Sequence, residues 1–244
     1  YTLNNVSILE NNAIDLSNSL GSYLAIGNDI SMNFDEGFSL ELKFLVRTVG
    51  SPTWQRIWYF KGVDTDGNTW HWDFGFFDHT TTLYMRIYGE FNSVKNFVFG
   101  STNIDNWGLI SSITLNVENI IRFEFNNGNI RIILNNTTII NRSYGTNGYE
   151  GNQPTYGVGA DYSITSNKGN VRFNHSDTNI GRDPSVTTRS LDGIIYYITK
   201  ARILDNYTTV YDISGITYAT LNGGIKYGLY VIGGGGAGGS SHHN

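Results

Sequence analysis

The chain reads as all-β, a sandwich or a barrel, on three observations. Apolar and polar residues alternate along many short runs, helical periodicity is nearly absent, and Pro and Gly fall between the runs. The clearest run spans residues 37–47. Phe38, Leu40, Leu42, Phe44 and Val46 fall on one side of an extended chain, and Ser39, Glu41, Lys43 and Arg47 on the other. That is the period of two expected of a half-buried strand.

The other runs follow in order. Residues 56–60 form a short apolar run. In residues 70–76, Trp70, Trp72, Phe74 and Phe76 share a face opposite His71 and Asp73. In residues 83–88, Leu83, Met85 and Ile87 alternate against Tyr84, Arg86 and Tyr88. Residues 121–125 and 130–134 flank an Asn- and Gly-bearing turn at 126–129, a hairpin signal because both residues accept positive φ. Residues 171–173 and 194–200 complete the set. Phe44, Trp72, Phe74, Ile132 and Ile194 are expected to share one core between two sheets. Residues 204–211 fit a short helix or another strand equally well.

Composition narrows the class. The 244 residues suffice for one large sandwich or two small domains, and 14% aromatic content can fill a core. Charged residues are only 15%, so Asn, Ser, Thr and Gly carry the surface, as suits an extracellular, cell-surface or virion protein. Net charge is −5 and Lys and Arg form no cluster, which argues against a nucleic-acid partner. The absence of cysteine excludes disulfides, thiolate zinc sites and cysteine nucleophiles. No apolar window approaches the ~18 residues of a membrane span. Starting at Tyr1 with no leader, the sequence reads as a processed product or a fragment. From Asn222 the chain turns Gly-rich, which places a sandwich at residues 1–221 and a linker or tail at 222–244. That tail is the expected side for attachment, a fibre or a homo-oligomer.

The order of landmarks resembles the laminin-G-like, concanavalin A-like jelly-roll superfamily of lectins and glucanases. The resemblance runs through residues 23–26, 38–46, 57–62, 131–136, 179–183 and 191–204. Asn136 stands where the family's turn usually has Gly, and the cysteines of many animal members are missing. It covers about residues 20–212 and implies an antiparallel β-sandwich of jelly-roll, concanavalin A-like type. The Gly-rich end is similar to segments of phage and large-virus fibres or adhesins. The superfamily holds lectins, adhesins, glycan-binding modules and glycanases, so fold alone leaves function open.

Candidate chemistry is sparse. Glycan hydrolysis uses two carboxylates roughly 5–10 Å apart. Asp73, Glu41 and Glu124 each stand alone on their runs, and the adjacent Asp35 and Glu36 would point apart. Asp64, Asp66 and Asn68 put three oxygen-bearing side chains in five residues. They form either a hairpin turn, the favoured reading, or part of a calcium site if loops carrying Asp161, Asp177 or Asp183 converge there. No other cofactor is expected, and the scattered histidines suggest no zinc site. The loop at residues 144–157 offers aromatic faces and amides suited to a sugar, in Tyr144, Asn147, Tyr149, Asn152, Gln153 and Tyr156. Trp54 is a second candidate platform, whereas Trp70 and Trp72 belong to the core. The expectation is therefore a non-catalytic, carbohydrate-binding recognition module, not an enzyme, with a glycan or host-cell receptor as partner. A structural subunit or spacer of a filament, fibre or capsid comes second, and a glycan hydrolase third.

Overall fold

The structure is a computed structural model. It describes residues 2–4, 6–9, 13–16, 22–25, 30–34, 37–49, 55–91, 94–100, 108–126, 128–143, 170–173, 178–183 and 186–202. The strands are β1 (Thr2–Asn4), β2 (Ser7–Ile8), β3 (Ile14–Asp15), β4 (Tyr23–Ala25), β5 (Ile30–Asn33), β6 (Phe38–Thr48), β7 (Arg56–Asp64), β8 (Thr69–Phe76), β9 (Thr82–Phe91) and β10 (Val94–Phe99). They continue with β11 (Leu109–Ser112), β12 (Glu118–Asn126), β13 (Asn129–Leu134), β14 (Thr137–Ser143), β15 (Asn170–Phe173), β16 (Asn179–Ile180), β17 (Arg182–Asp183), β18 (Val186–Ser190) and β19 (Asp192–Arg202).

These strands build an all-β, antiparallel jelly-roll sandwich of the concanavalin A-like type. The first sheet runs β1-β4-β16-β7-β8-β9-β10, with β11 beside β9 and β15 joining β5 to β7. The second runs β14-β13-β12-β6-β19-β3-β2, and β17 and β18 form a separate ribbon. Sequence-distant strands are neighbours in both sheets; β6 lies between β12 and β19. Residues Tyr1–Leu204 form one compact unit. The expected boundary between residues 221 and 222, the Gly-rich tail and the run at 204–211 lie outside the described residues.

The alternation seen in the sequence becomes the core. The inward side chains of β6 (Phe38, Leu40, Leu42, Phe44 and Val46) meet those of β8 (Trp70, Trp72, Phe74 and Phe76), all buried. The aromatic rings pack edge to face as their quadrupoles prefer, with Trp72 against Phe123 at 85° and Phe74 against Phe123 at 81°. Phe44, Trp72, Phe74 and Ile132 enter this one core as expected. Ile194 does not. The pairing of β19 with β6 shifts register between Asp192 and Gly193, and again between Ile195 and Tyr197. Ile195 lies opposite Phe44 and is buried, while Ile194 is only half-buried opposite Leu45. A one-residue slip exchanges the two faces of a strand.

Two local details follow from backbone sterics. Asn135 and Asn136 turn β13 into β14 with φ of 49° and 67°. Asn enters this left-handed region readily, which is why it can stand where the resemblance expects Gly. At Gly62 an added Cβ would fall 2.2 Å from the carbonyl oxygen of Arg172, so β7 and β15 can approach only at a glycine.

Candidate functional site

Strands β7, β8 and β9 send their aromatic and aliphatic side chains inward. By the same alternation their polar side chains share the opposite face. Register then decides the neighbours. Tyr59, Asp73 and Arg86 pair across the three strands in one row, and Lys61, His71 and Tyr88 in the next. Directly opposed side chains on one face touch. Six chemically active side chains thus gather from three separate stretches of sequence.

Asp73 anchors the first row. It is 1% exposed. Its Oδ1 accepts the Tyr84 hydroxyl at 2.8 Å and lies 2.6 Å from Arg56 Nε. Its Oδ2 accepts from Arg86 at 2.8 Å. The Arg56 guanidinium also lies over the Tyr84 ring, 5.1 Å from its centroid. A buried carboxylate tolerates such a position only when paired and hydrogen-bonded on both oxygens, as it is here.

His71 centres the second row. Its Nδ1 lies 2.8 Å from the Tyr59 hydroxyl oxygen. Its ring stacks on Tyr88 with centroids 4.8 Å apart and planes 18° apart. Phe97 packs against Tyr88 from β10, and the Lys95 ammonium sits 5.0 Å over the Tyr88 ring. Burial pushes His71 down to about 4, helped by the positive charges of Lys61 and Lys95. At neutral pH its ring is uncharged, with one nitrogen donating and the other accepting. Burial pushes the Tyr88 hydroxyl up to about 12, so it stays protonated. A neutral imidazole joined to a phenol, with cations around it, can take up and return a proton beside an anionic group.

The residues singled out from sequence fall elsewhere. Trp54, Tyr144, Asn147, Tyr149, Asn152, Gln153 and Tyr156 lie outside the described residues. Asp64, Asp66 and Asn68 form the turn between β7 and β8. There Asp64 Oδ1 accepts the backbone N–H groups of Asp66 and Asn68, at 3.0 and 2.8 Å. Its Oδ2 accepts from Asn68 Nδ2 at 3.0 Å and the Trp70 indole at 3.1 Å. Asp66 points into solvent. Among the described residues no group of three or more His, Cys, Asp and Glu side chains is arranged to hold a metal.

Sequence reading missed Tyr59, His71, Asp73, Arg86 and Tyr88 as a group. The signal was present: three successive strands each carried titratable side chains on the face opposite their core residues. A search limited to carboxylate pairs passes over it.

No protein-family model matches the chain, and no curated protein matches it. Solved structures of similar architecture include the alginate lyase A1-II′, a member of polysaccharide lyase family 7. It is 12% identical with a TM-score of 0.49, over 84% of this chain and 86% of that one. The alginate lyase from Corynebacterium sp. is 10% identical with a TM-score of 0.35, over 71% of this chain and 63% of that one. Sheep galectin-11 is 7% identical with a TM-score of 0.36, over 72% of this chain and 99% of that one.

These findings correct two expectations, that the chain is a non-catalytic binding module and that it is not an enzyme. The similar structures include alginate lyases alongside a galectin. The expectation had rested on the missing carboxylate pair, which hydrolysis requires and elimination does not.

Proposed function

We propose that the chain is a polysaccharide-cleaving enzyme acting by β-elimination on uronate-bearing chains, with Tyr59 and His71 as its proton-transfer pair. One observation carries the reading: the 2.8 Å contact between the Tyr59 hydroxyl and the Nδ1 of a neutral His71, on a cation-rich face. Hydrolysis fits this face less well, because both Asp73 oxygens are taken by Arg56, Arg86 and Tyr84. The carbohydrate-active branch of the concanavalin A-like superfamily is the setting this reading implies.

The chemistry balances within the pair. The carboxylate of a uronate unit makes the neighbouring C–H acidic, and Lys61 and Arg86 favour the negative charge that develops when that proton leaves. Tyr59 takes the proton as its own passes to His71. The electron pair forms a carbon–carbon double bond and expels the glycosidic oxygen, which recovers a proton from the pair. The products are a new chain end and an unsaturated uronate. A polymeric substrate, the cysteine-free chain and its 15% charge agree with work outside the cell.

Purified protein is incubated with a panel of uronate polysaccharides and neutral glycans, and the ultraviolet absorbance of the unsaturated product is followed. Release from at least one uronate polymer and none from neutral glycans is expected. No release from any uronate polymer, or release of saturated reducing ends only, overturns the reading.

A further inference from the structure

We infer that Asp73 is a positioning residue: it holds the Arg86 guanidinium in place beside the Tyr59–His71 pair, and Arg56 and Tyr84 serve to hold Asp73. The inference rests on the catalytic reading for its effect on turnover, but its geometry stands by itself.

The three partners of Asp73 are not equivalent. Arg56 and Arg86 both bind it, yet the Arg56 side chain is 3% exposed and the Arg86 side chain 17%. Arg56 and Tyr84 engage Oδ1, on one side of the carboxylate. Arg86 engages Oδ2 through a single Nη at 2.8 Å. Arg86 is therefore the member that reaches the open side of the cluster. It lies close enough to His71 for its charge to help lower the affinity of that ring for protons.

With the buried Arg56 and Tyr84 on its other oxygen, Asp73 is itself fixed and can orient Arg86. An oriented cation loses no reorganisation energy when negative charge appears beside it, which is the condition for preorganised stabilisation.

Two readouts separate positioning from a merely structural role. In the intact protein, the Arg86 Nε–H and Nη–H signals are followed by nitrogen-15 NMR, assigned by loss in Arg86→Gln. Hindered rotation about the guanidinium bonds is expected in the wild type, and fast averaging in Asp73→Asn. Tyr84→Phe removes one of the bonds to Asp73 and keeps the ring, so it reports even if Asp73→Asn fails to fold. It should loosen Arg86 part of the way.

In turnover, Asp73→Asn should lower kcat by roughly tenfold to a hundredfold with a smaller change in KM. The double variant with Arg86→Gln should be no slower than Arg86→Gln alone, and Asp73→Glu should restore part of the loss. Additive losses in the double variant, or an Arg86 guanidinium equally immobile in Tyr84→Phe and Asp73→Asn, overturn the inference. If wild-type protein cleaves no uronate polymer, the catalytic reading fails while the NMR result still decides whether Asp73 immobilises Arg86.

Discussion

The outward faces of the two sheets are built from the same kinds of side chain and behave differently. On the second sheet, Arg47 bonds Asp15 and Asp192 at 2.8 and 3.2 Å, Lys43 meets Glu118 at 2.7 Å, and Arg122 meets Glu124 at 2.8 Å. Arg131 completes this ladder against Glu124. These groups stand partly in water; the Arg131 side chain is 48% exposed. On the first sheet Asp73 and Arg56 are buried, with side chains 1% and 3% exposed, and two groups beside them, His71 and Tyr88, are pushed far from their ordinary values by burial. Charge content does not distinguish the faces. Desolvation does, because it strengthens every interaction among the charges and penalises any charge left unpaired. One face is a solvated surface with weak pairs, and the other has a buried ion pair at its centre.

The largest effect that could break this contrast is on turnover. Tyr59→Phe and His71→Ala should each lower kcat by about 10²–10⁴, the usual range for a proton-transfer residue. Arg131→Ala on the other face should leave it unchanged. Equal effects on the two faces, measured by product absorbance, would remove the functional distinction between them.

Beneath both faces lies one core, and its energetics should not depend on the side from which it is approached. Phe74→Ala, opposite the polar face of β8, should cost about 3–5 kcal/mol in urea unfolding. A loss below about 0.5 kcal/mol would place that ring outside the core and the polar face on the wrong side.

Ion pairs sharpen the comparison further. Arg56→Met leaves Asp73 buried with fewer partners and should cost about 3–5 kcal/mol. Arg131→Ala should cost no more than about 1 kcal/mol, and less at high salt. Similar costs would mean that the two clusters are equally hydrated.

A further difference lies in stability against pH. His71 is lowered in the folded state to about 4 from its ordinary 6.5. Its contribution is therefore fully present above 6.5 and is lost as pH falls through about 4, because only the unfolded chain takes the proton readily. Melting temperatures measured between those values should fall more steeply for the wild type than for His71→Gln. Tyr88 gives the opposite limb: its hydroxyl, raised to about 12, favours the folded state below its ordinary value of 10 and ceases to do so as pH climbs through 12. Parallel profiles for the wild type and His71→Gln would mean that the ring is not desolvated.

Most of the sandwich was legible from alternation. The run beginning at Phe38 became β6, the Asn- and Gly-bearing turn became the β12–β13 hairpin, and the tryptophans of residues 70–76 went inside. Period two is a local property, and a buried aromatic face leaves its mark residue by residue. Ile194 was misplaced because bulges in the β19 ladder are invisible to a period count.

The sequence by itself determined that the chain is all-β, which faces of its main strands are apolar, and that His71 and Asp73 stand opposite tryptophans. It also determined that Tyr84, Arg86 and Tyr88 share one side of their strand. Only the tertiary structure decided that β7, β8 and β9 lie side by side, and in a register that sets Tyr59 and Arg86 flanking Asp73, and Lys61 and Tyr88 flanking His71. It alone decided which charged face is dry. Hydrophobic periodicity is written along the chain, whereas a site made of cross-strand neighbours depends on pairing, register and burial, which are properties of chain segments brought together by the fold.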